Sequence, residues 1–593
     1  MKNLLTEKGN TLIIVLLMIV IFTVAGLSLI STTFNGVKKT DARETQIQSV
    51  ELAEKGIDYL TTLLESKSQL LAGLPSKDFN LSLKNIIKNY EVTNANDEFP
   101  TTATLPSDNG ILKVKIYNVK KVTADPDDLS QTMTLHSQAT VNGKTKTIIS
   151  NIHLGAKQTP EALNYALGAY NPCKGRIGCT ARDDDGNMFL HGGVAIKGDL
   201  YVERNLITKN KGIVGTDYDW ITSDLPSVEG ENGKKAHLIL PGSLYKMTSD
   251  SRYSDHILQK NFNNNVAYQK INKESVGSAF TSFNEINKDY VPIVDSRAPS
   301  FAPIDIDGQK AQYYFPEVKI GVTKLNDGNF NNNANQENIR RNYESSNIAV
   351  ATHQDIKIHG SHTFKSFSTR LYSPDRKVNI TSATAGRFGP SQLTFKQGAY
   401  FGGDVTIGDT DINHYSYGEY NQFEIDGPIF IDGDLTIWGA NVKFNSTIYV
   451  TGKTTIRYSR LQGIMNNNIE KSLVLFGKDS IQISNNNVYG DNANIIRGFF
   501  YSENLMEIYG VGSNVEIQGG VFGRKVVLNA TRGKVKPING RLNTYDFESG
   551  QSQMSPSKSR LKIIYNPELI KNPPEGLPVV KDLSVTQIDR LLQ

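Results

Sequence analysis

From Thr11 to Ile30 the chain reads TLIIVLLMIVIFTVAGLSLI, a run without a single charge. As a helix rising about 1.5 Å per residue, it spans about 30 Å, one bilayer crossing. A signal peptide would carry a shorter apolar region, about 7–15 residues, ending in a small-residue cleavage site. Nothing after Ile30 resembles such a site, so a retained membrane helix is expected. Lys2 and Lys8 precede the run and Lys38, Lys39 and Arg43 follow it, so flanking charge does not fix its orientation. Farther on, Ile47, Val50, Ala53, Ile57, Leu60 and Leu64 recur at three- and four-residue steps, with Glu44, Glu51, Glu54, Lys55 and Asp58 between them. The pattern predicts one helix of roughly 55 residues, apolar all round at first and amphipathic afterwards. A break near Asn35-Gly36, giving two helices, is the alternative.

The amphipathic half needs a partner, and the following segment supplies one. Gly110–Thr123 alternates, with Leu112, Val114 and Ile116 on one face and Lys113, Lys115 and Tyr117 on the other. Thr132–Leu154 reads as two strands around Asn142-Gly143, the strongest short hairpin signal. Three or so antiparallel strands with one apolar face would cover the helix.

After about residue 160 the texture changes to short strands set close to Gly-Asp or Gly-Lys steps. Such blocks stand at 192–202, 398–408, 427–438, 446–456, 472–483, 498–508 and 519–528, and the turn pairs from the second onward fall at 403, 433, 452, 477, 502 and 523. Strand, turn, strand at this period is the signature of a solenoid, most simply a right-handed parallel β-helix whose coils must stack to bury their inward rows. An irregular β-sandwich with hairpins at the same turns is the competing fold. Residues 216–345 show no period and hold the runs Asn263–Asn265 and Asn331–Asn333. They read either as an insertion on one face of the solenoid, often the functional one, or as decoration. At the far end, Ile563–Pro567 reads as one more strand and Ser584-Val585-Thr586-Gln587 as a capping box for a short final helix.

Composition narrows the function. The 593 residues carry 64 Lys and Arg against 60 Asp and Glu, a balance with no single-sign field to attract nucleic acid. Two cysteines exclude a disulfide scaffold and a four-thiolate zinc site. Cys173 and Cys179 enclose Lys-Gly-Arg-Ile-Gly, and outside the cytoplasm such a pair reads as a small disulfide clip rather than a metal or redox site. Gly-Lys-Thr occurs at 143–145 and 452–454, but the Gly that a phosphate loop needs five residues earlier is Gln138 in one and Thr447 in the other. His353, His359 and His362 cluster without an HExxH pattern, so exposed strand histidines are expected rather than a metal site. Asp183–Asp185, Asp404, Asp409, Asp411, Asp432 and Asp434 raise the idea of a carbohydrate-cleaving site built from carboxylates on neighbouring coils. Asp404 and Asp434 share one turn position, however, where Asp serves the backbone. No metal, cofactor or catalytic residue is expected.

The start of the chain resembles a known family. Glu7-Lys8-Gly9-Asn10-Thr11-Leu12-Ile13-Ile14-Val15, the apolar run, and Gln48-Ser49-Val50-Glu51-Leu52-Ala53-Glu54-Lys55-Gly56-Ile57 look like the opening of type IV pilin-like proteins of the PilX-type minor pilin group. The resemblance implies a basic leader removed by a prepilin peptidase, with Gly9 as its last residue and Asn10 as the mature N-terminus. Major pilins carry Glu at the fifth mature position, which here is Ile14; some minor pilins and pseudopilins also lack it. It further implies a long helix packed on a small antiparallel sheet, other pilin-like subunits as partners, and a part in pilus assembly, adhesion or DNA uptake.

The fold class expected is therefore mainly β: a pilin-like helix and antiparallel sheet followed by a parallel β-helix. The expected division is a leader at 1–9, helix at 10–70, sheet at 71–157, first coils at 158–215, irregular insertion at 216–345, main coils at 346–545 and tail at 546–593. The expected function is a single-pass membrane-anchored structural protein, mostly extracytoplasmic, that contacts the membrane, sister subunits and a cell-wall or surface glycan. An anchored polysaccharide hydrolase or lyase on the same solenoid is the alternative.

Overall fold

The computed structural model describes residues 7–592 apart from 69–75, 108–109, 122–130, 157–159, 174–179, 181, 215–216, 284–289, 297–303, 326–330, 383–389, 411–420, 467, 542–543 and 578–582. It is mainly β with one long N-terminal helix and divides into two compact units: Met1–Gln158 with Val579–Gln593, and Thr159–Pro578.

In the first unit, helix α1 (Glu7–Ser68) runs for 62 residues without a break at Asn35-Gly36. Its apolar half is long enough to cross a membrane and bares its side chains, Leu12, Phe22 and Leu29 being 68% exposed. Thr23, Thr32 and Thr33 donate their hydroxyls to the carbonyls four residues back, which satisfies polar groups that hydrocarbon could not. The other half buries Leu52, Ala53, Ile57, Leu60 and Leu64 against a sheet. Gly56 permits this approach, since a Cβ there would stand 2.1 Å from Ser137 Oγ. A short amphipathic helix, α2 (Ser76–Ile87), adds Leu83 and Ile87 to the same core.

The sheet runs β1 (Thr104–Leu105), β2 (Ile111–Lys121), β3 (Gln131–Val141) and β4 (Lys144–Ala156), all antiparallel. Val141 pairs with Lys144 across Asn142 and Gly143, whose φ values of 47° and 76° are those of a two-residue hairpin turn. Lys115, expected to face solvent, is buried. Its Nζ donates to the carbonyls of Ala95 and Asp97 at 2.7 Å and lies over the Phe99 ring, because residues 94–99 fold over that face.

A fifth strand comes from the opposite end of the chain. Leu583–Gln587 pairs antiparallel with β4, Val585 opposite Leu154, and Leu591–Leu592 extends the pairing to Ile148. The expected final helix at Ser584–Gln587 is thus a strand: Leu583 and Val585 alternate with Ser584 and Thr586, and the open edge of β4 takes them. Arg590 Nη2 reaches Asp58 Oδ1 on α1 at 2.7 Å.

The second unit is built of short, mostly parallel strands, and each passage of the chain through them is one coil. The chain passes in turn through three ladders of parallel strands. On the second ladder Val405 pairs with Leu435, Leu435 with Thr454, Thr454 with Ile481, Ile481 with Met506 and Met506 with Val526. Beside them Ile407, Ile437, Ile456, Ile483, Ile508 and Leu528 form an inward row, part of one continuous core. No coil could bury such a row alone.

The order of coils in the stack is not their order in the chain. Val521–Gly523 pairs with Leu167–Ala169, Val526–Ala530 with Met188–Gly192, and Leu561–Tyr565 with Ala195–Lys197. The coils at 167–197 therefore follow the last ones, and Leu200–Val202 and Asn205–Lys209 lie beyond them. Two expectations are corrected by this. Residues 216–345 are not wholly irregular, since Ser227–Glu229, His237–Ile239 and Ser243–Met247 join the three ladders in parallel. These strands have three to five residues, too few to show a period. Nor is 546–593 a tail, because Leu561–Tyr565 is a rung of the third ladder and Leu583–Gln587 belongs to the first unit.

Candidate functional site

The residues singled out in the sequence fall in different places. Gly9 and Asn10 lie in the first turns of α1. Cys173 is buried in the turn after Leu167–Ala169, its N–H donating to Asn171 Oδ1 at 2.9 Å; Cys179 and Asp411 lie outside the described residues. His359 Nδ1 meets Thr381 Oγ1 at 3.1 Å and His353 stacks on Tyr372. His362, expected on an exposed strand, is instead buried, because helix Asn333–Tyr343 brings Gln336 Oε1 to within 3.2 Å of its Nε2. No group of three metal-ligating side chains occurs among the described residues.

The acidic residues serve the backbone or neighbouring cations. Asp404 Oδ1 accepts from Asp434 N at 2.8 Å, and Asp434 Oδ1 accepts from Lys453 N at 2.7 Å. Asp184 pairs with Lys525, and Asp185 with Arg524. Asp432 is bound by Lys310, Tyr400 and Thr451.

The outward rows of two ladders are built over. On the first, Tyr400, Phe430, Tyr449, Phe476, Tyr501, Phe522 and Tyr201 follow one another with ring centroids 5.5–6.4 Å apart, stacked at every step but the edge-to-face one between Phe476 and Tyr501. Gly168 makes the last step possible, because the Phe522 ring occupies the place of its Cβ. Helix Ile306–Tyr313 and Leu569 cover this row, so it is packing rather than a ligand platform.

On the second ladder the cover leaves an opening. Its outward row includes Trp438, Arg457, Ser484, Tyr509, Asn529 and His191. The Arg457 guanidinium lies 5.4 Å from the Trp438 ring centre and donates to Gln482 Oε1 at 2.7 Å. Asn529 holds a wall against the row: its Oδ1 accepts from Ile213 N at 2.8 Å and its amide donates to Ile213 O at 3.3 Å. Ile213 ends the strand Lys211–Ile213, which pairs with Trp220–Thr222. The short helix Tyr253–Ile257 completes the wall. Tyr253 Oη donates to Glu507 Oε1 at 2.9 Å and Tyr509 Oη to the same oxygen at 3.2 Å. Burial raises the pKa of both phenols, so they remain donors at neutral pH.

Between wall and row lies a cavity of about 230 Å³ lined by Asp217, Tyr253, Ser484, Asn485, Tyr509 and Tyr545 among others. Asp217 accepts from Arg252 Nε at 2.7 Å and from the Ser254 hydroxyl at 3.2 Å. Asn485 takes the left-handed backbone at φ 54° and donates to Tyr458 Oη at 3.3 Å. Ser484 is 7% exposed, and its Oγ makes no hydrogen bond among the described residues. Tyr545 stacks obliquely on Tyr489 at 5.8 Å. Sequence reasoning missed this cleft, since its residues come from five separate stretches of chain. The only hint was that an aperiodic insertion often decorates a functional face.

No family model and no curated protein matches the chain. Among solved structures, the competence-associated pilin ComZ from Thermus thermophilus aligns over 93% of this chain and 97% of that one, at 12% identity and a TM-score of 0.25. That likeness is too low to carry a fold or a role from one protein to the other.

Proposed function

We propose that the protein is a single-pass membrane-anchored component of a type IV pilus or related surface filament, akin to PilX-type minor pilins. Its stacked coils would form a parallel β-helix presented outside the membrane for adhesion or assembly. The observation that carries this reading is the division of α1: the stretch from Leu12 to Ile30 is apolar and exposed, while Leu52–Leu64 is seated on an antiparallel sheet. A helix so divided fits a protein held by lipid or by other helices at one end and by its own sheet at the other. The three parallel ladders, threaded in turn, support the β-helix.

In this reading a prepilin peptidase cuts between Gly9 and Asn10, Cys173 and Cys179 form a disulfide, and no cofactor or metal is used. A non-enzymatic role is favoured because Asp404 and Asp434 are committed to backbone N–H groups. Turnover of a glycan by the full chain, abolished by Asp404→Ala or Asp434→Ala, would instead establish the hydrolase or lyase alternative. The pilin reading is tested by intact mass and N-terminal sequencing of protein from its native membrane. A mature chain beginning at Asn10 supports it; Met1 retained, or a cut beyond Ile30, removes it.

A further inference from the structure

We infer that the cleft between Tyr509 and Tyr545 is a binding site for a neutral saccharide, taking one sugar ring at the end or branch of a glycan. This deepens the adhesion role proposed above and rests on that reading only for where the cleft is displayed.

Size is the first argument. At about 230 Å³ the cavity lies below the about 300–1,000 Å³ of clefts for drug-sized ligands, which suits a single ring. The second argument is the pairing of surfaces. A pyranose offers hydroxyls round its rim and C–H groups on its faces, and so needs flat apolar walls with donors and acceptors between them. Tyr545, Tyr253 and Tyr509 supply aromatic surface, Ile213 and Val511 add aliphatic surface, and Ser484, Asn485 and Asp217 supply the polar groups.

Charge is the third. The carboxylates at hand are already occupied: Asp217 by Arg252 and Ser254, Glu507 by the two tyrosine hydroxyls. No lysine is among the described residues lining the cavity, and the Arg252 guanidinium is held by Asp217. A phosphate or uronate would meet the Asp217 carboxylate and no cation among the described lining residues, whereas a neutral ring avoids that repulsion.

The test uses the full chain in detergent on an array of immobilised neutral and acidic mono- and oligosaccharides, followed by calorimetric titration of the best neutral binder. Binding to at least one neutral glycan is expected. Tyr545→Ala and Asn485→Gly should each weaken it at least tenfold, and Tyr545→Phe should retain it. Asn485→Gly keeps the left-handed backbone, and unchanged melting temperatures separate lost binding from lost folding. No neutral glycan bound, acidic glycans preferred, or binding indifferent to both variants would overturn the inference. The pilin reading stands or falls separately, on where the mature chain begins.

Discussion

The carboxylate of Asp404 accepts a hydrogen bond from the backbone N–H of Asp434, its counterpart one coil along, and the carboxylate of Asp434 does the same for Lys453. At these two turns a peptide donor on one coil is answered by an Asp on the coil before. Asp434→Ala should therefore cost about 1 kcal/mol in chemical denaturation of the coils, while Asp434→Asn, which keeps an acceptor oxygen, should stay near wild type. Gly452→Ala should cost more, because its new Cβ would stand 2.1 Å from Asp434 Oδ1 and 2.7 Å from Gly433 O.

Arg560 is buried and bound by backbone carbonyls: Nε to Ser513 O at 2.8 Å, with the terminal nitrogens reaching Gly490, Gly512 and Gly533 at 3.2–3.3 Å. Burial lowers its pKa to about 10, still charged at neutral pH. Arg560→Met should destabilise the unit by about 3 kcal/mol or more, since several carbonyls lose their donor at once. Lysine has one donor head and cannot span them, so Arg560→Lys should rescue little, as read from denaturant midpoints.

The buried pair His191 and His256 makes the coils sensitive to acid. Their Nε2 atoms are 2.7 Å apart, and His256 Nδ1 meets Tyr268 Oη at 2.7 Å. Burial, then the nearby Lys209 ammonium, holds His191 down to about 3, and burial, then His191, holds His256 well below its usual value. Lys209 is itself tied to Asp250 at 2.9 Å. Unfolded, both imidazoles take a proton near pH 6.5. Stability is thus full above about pH 6.5 and is lost as the pH falls toward the folded value, by up to about 1.4 kcal/mol per pH unit for each ring. Melting temperatures measured from pH 7 to pH 4 should fall steeply, and His191→Gln should make the slope shallower even though it lowers stability at pH 7.

The C-terminal strand should be required by the N-terminal unit. Asp589 accepts from Asn151 N at 2.9 Å and from its side-chain amide at 3.0 Å, and these bonds hold its carboxyl below the usual range. Deleting residues 579–593 would expose the edge of β4 and free Asp58 of Arg590. Faster amide exchange along β4 is the expected result. The contribution of Asp589 is present above the ordinary carboxylate range and lost as the pH drops through its lowered folded value, so Asp589→Asn should remove that part of the acid dependence.

Much of this architecture is written in local pattern. The stripe from Ala53 to Leu64 is the buried face of α1, Asn142-Gly143 is the hairpin, and the turn pairs from 403 to 523 mark successive rungs. These succeed because each repeats one physical requirement within a few residues. Ser584–Gln587 misleads because its letters suit both a capping box and an alternating strand, and only β4, far away in sequence, decides between them. Lys115 misleads for a related reason, since the lid at 94–99 has no period of its own. Beyond the aperiodic insertion the cleft left no trace in the sequence, because Tyr253, Ser484 and Tyr545 share no local signal and meet only in the folded unit.

The permuted order of the coils decides how the second unit bears a pull. Its two ends leave from different coils: Leu167–Ala169 lies beside Val521–Gly523, whereas the last residues are held on the coil of Thr447 and Tyr449, whose N–H and hydroxyl donate to the carbonyls of Glu575 and Gly576. Tension applied at Pro160 and Leu577 would load the rungs between those two coils. The coils from 347 to 381 lie outside the load path and stay wound while those rungs hold. A solenoid tethered at opposite poles would pass the same force through every rung in series.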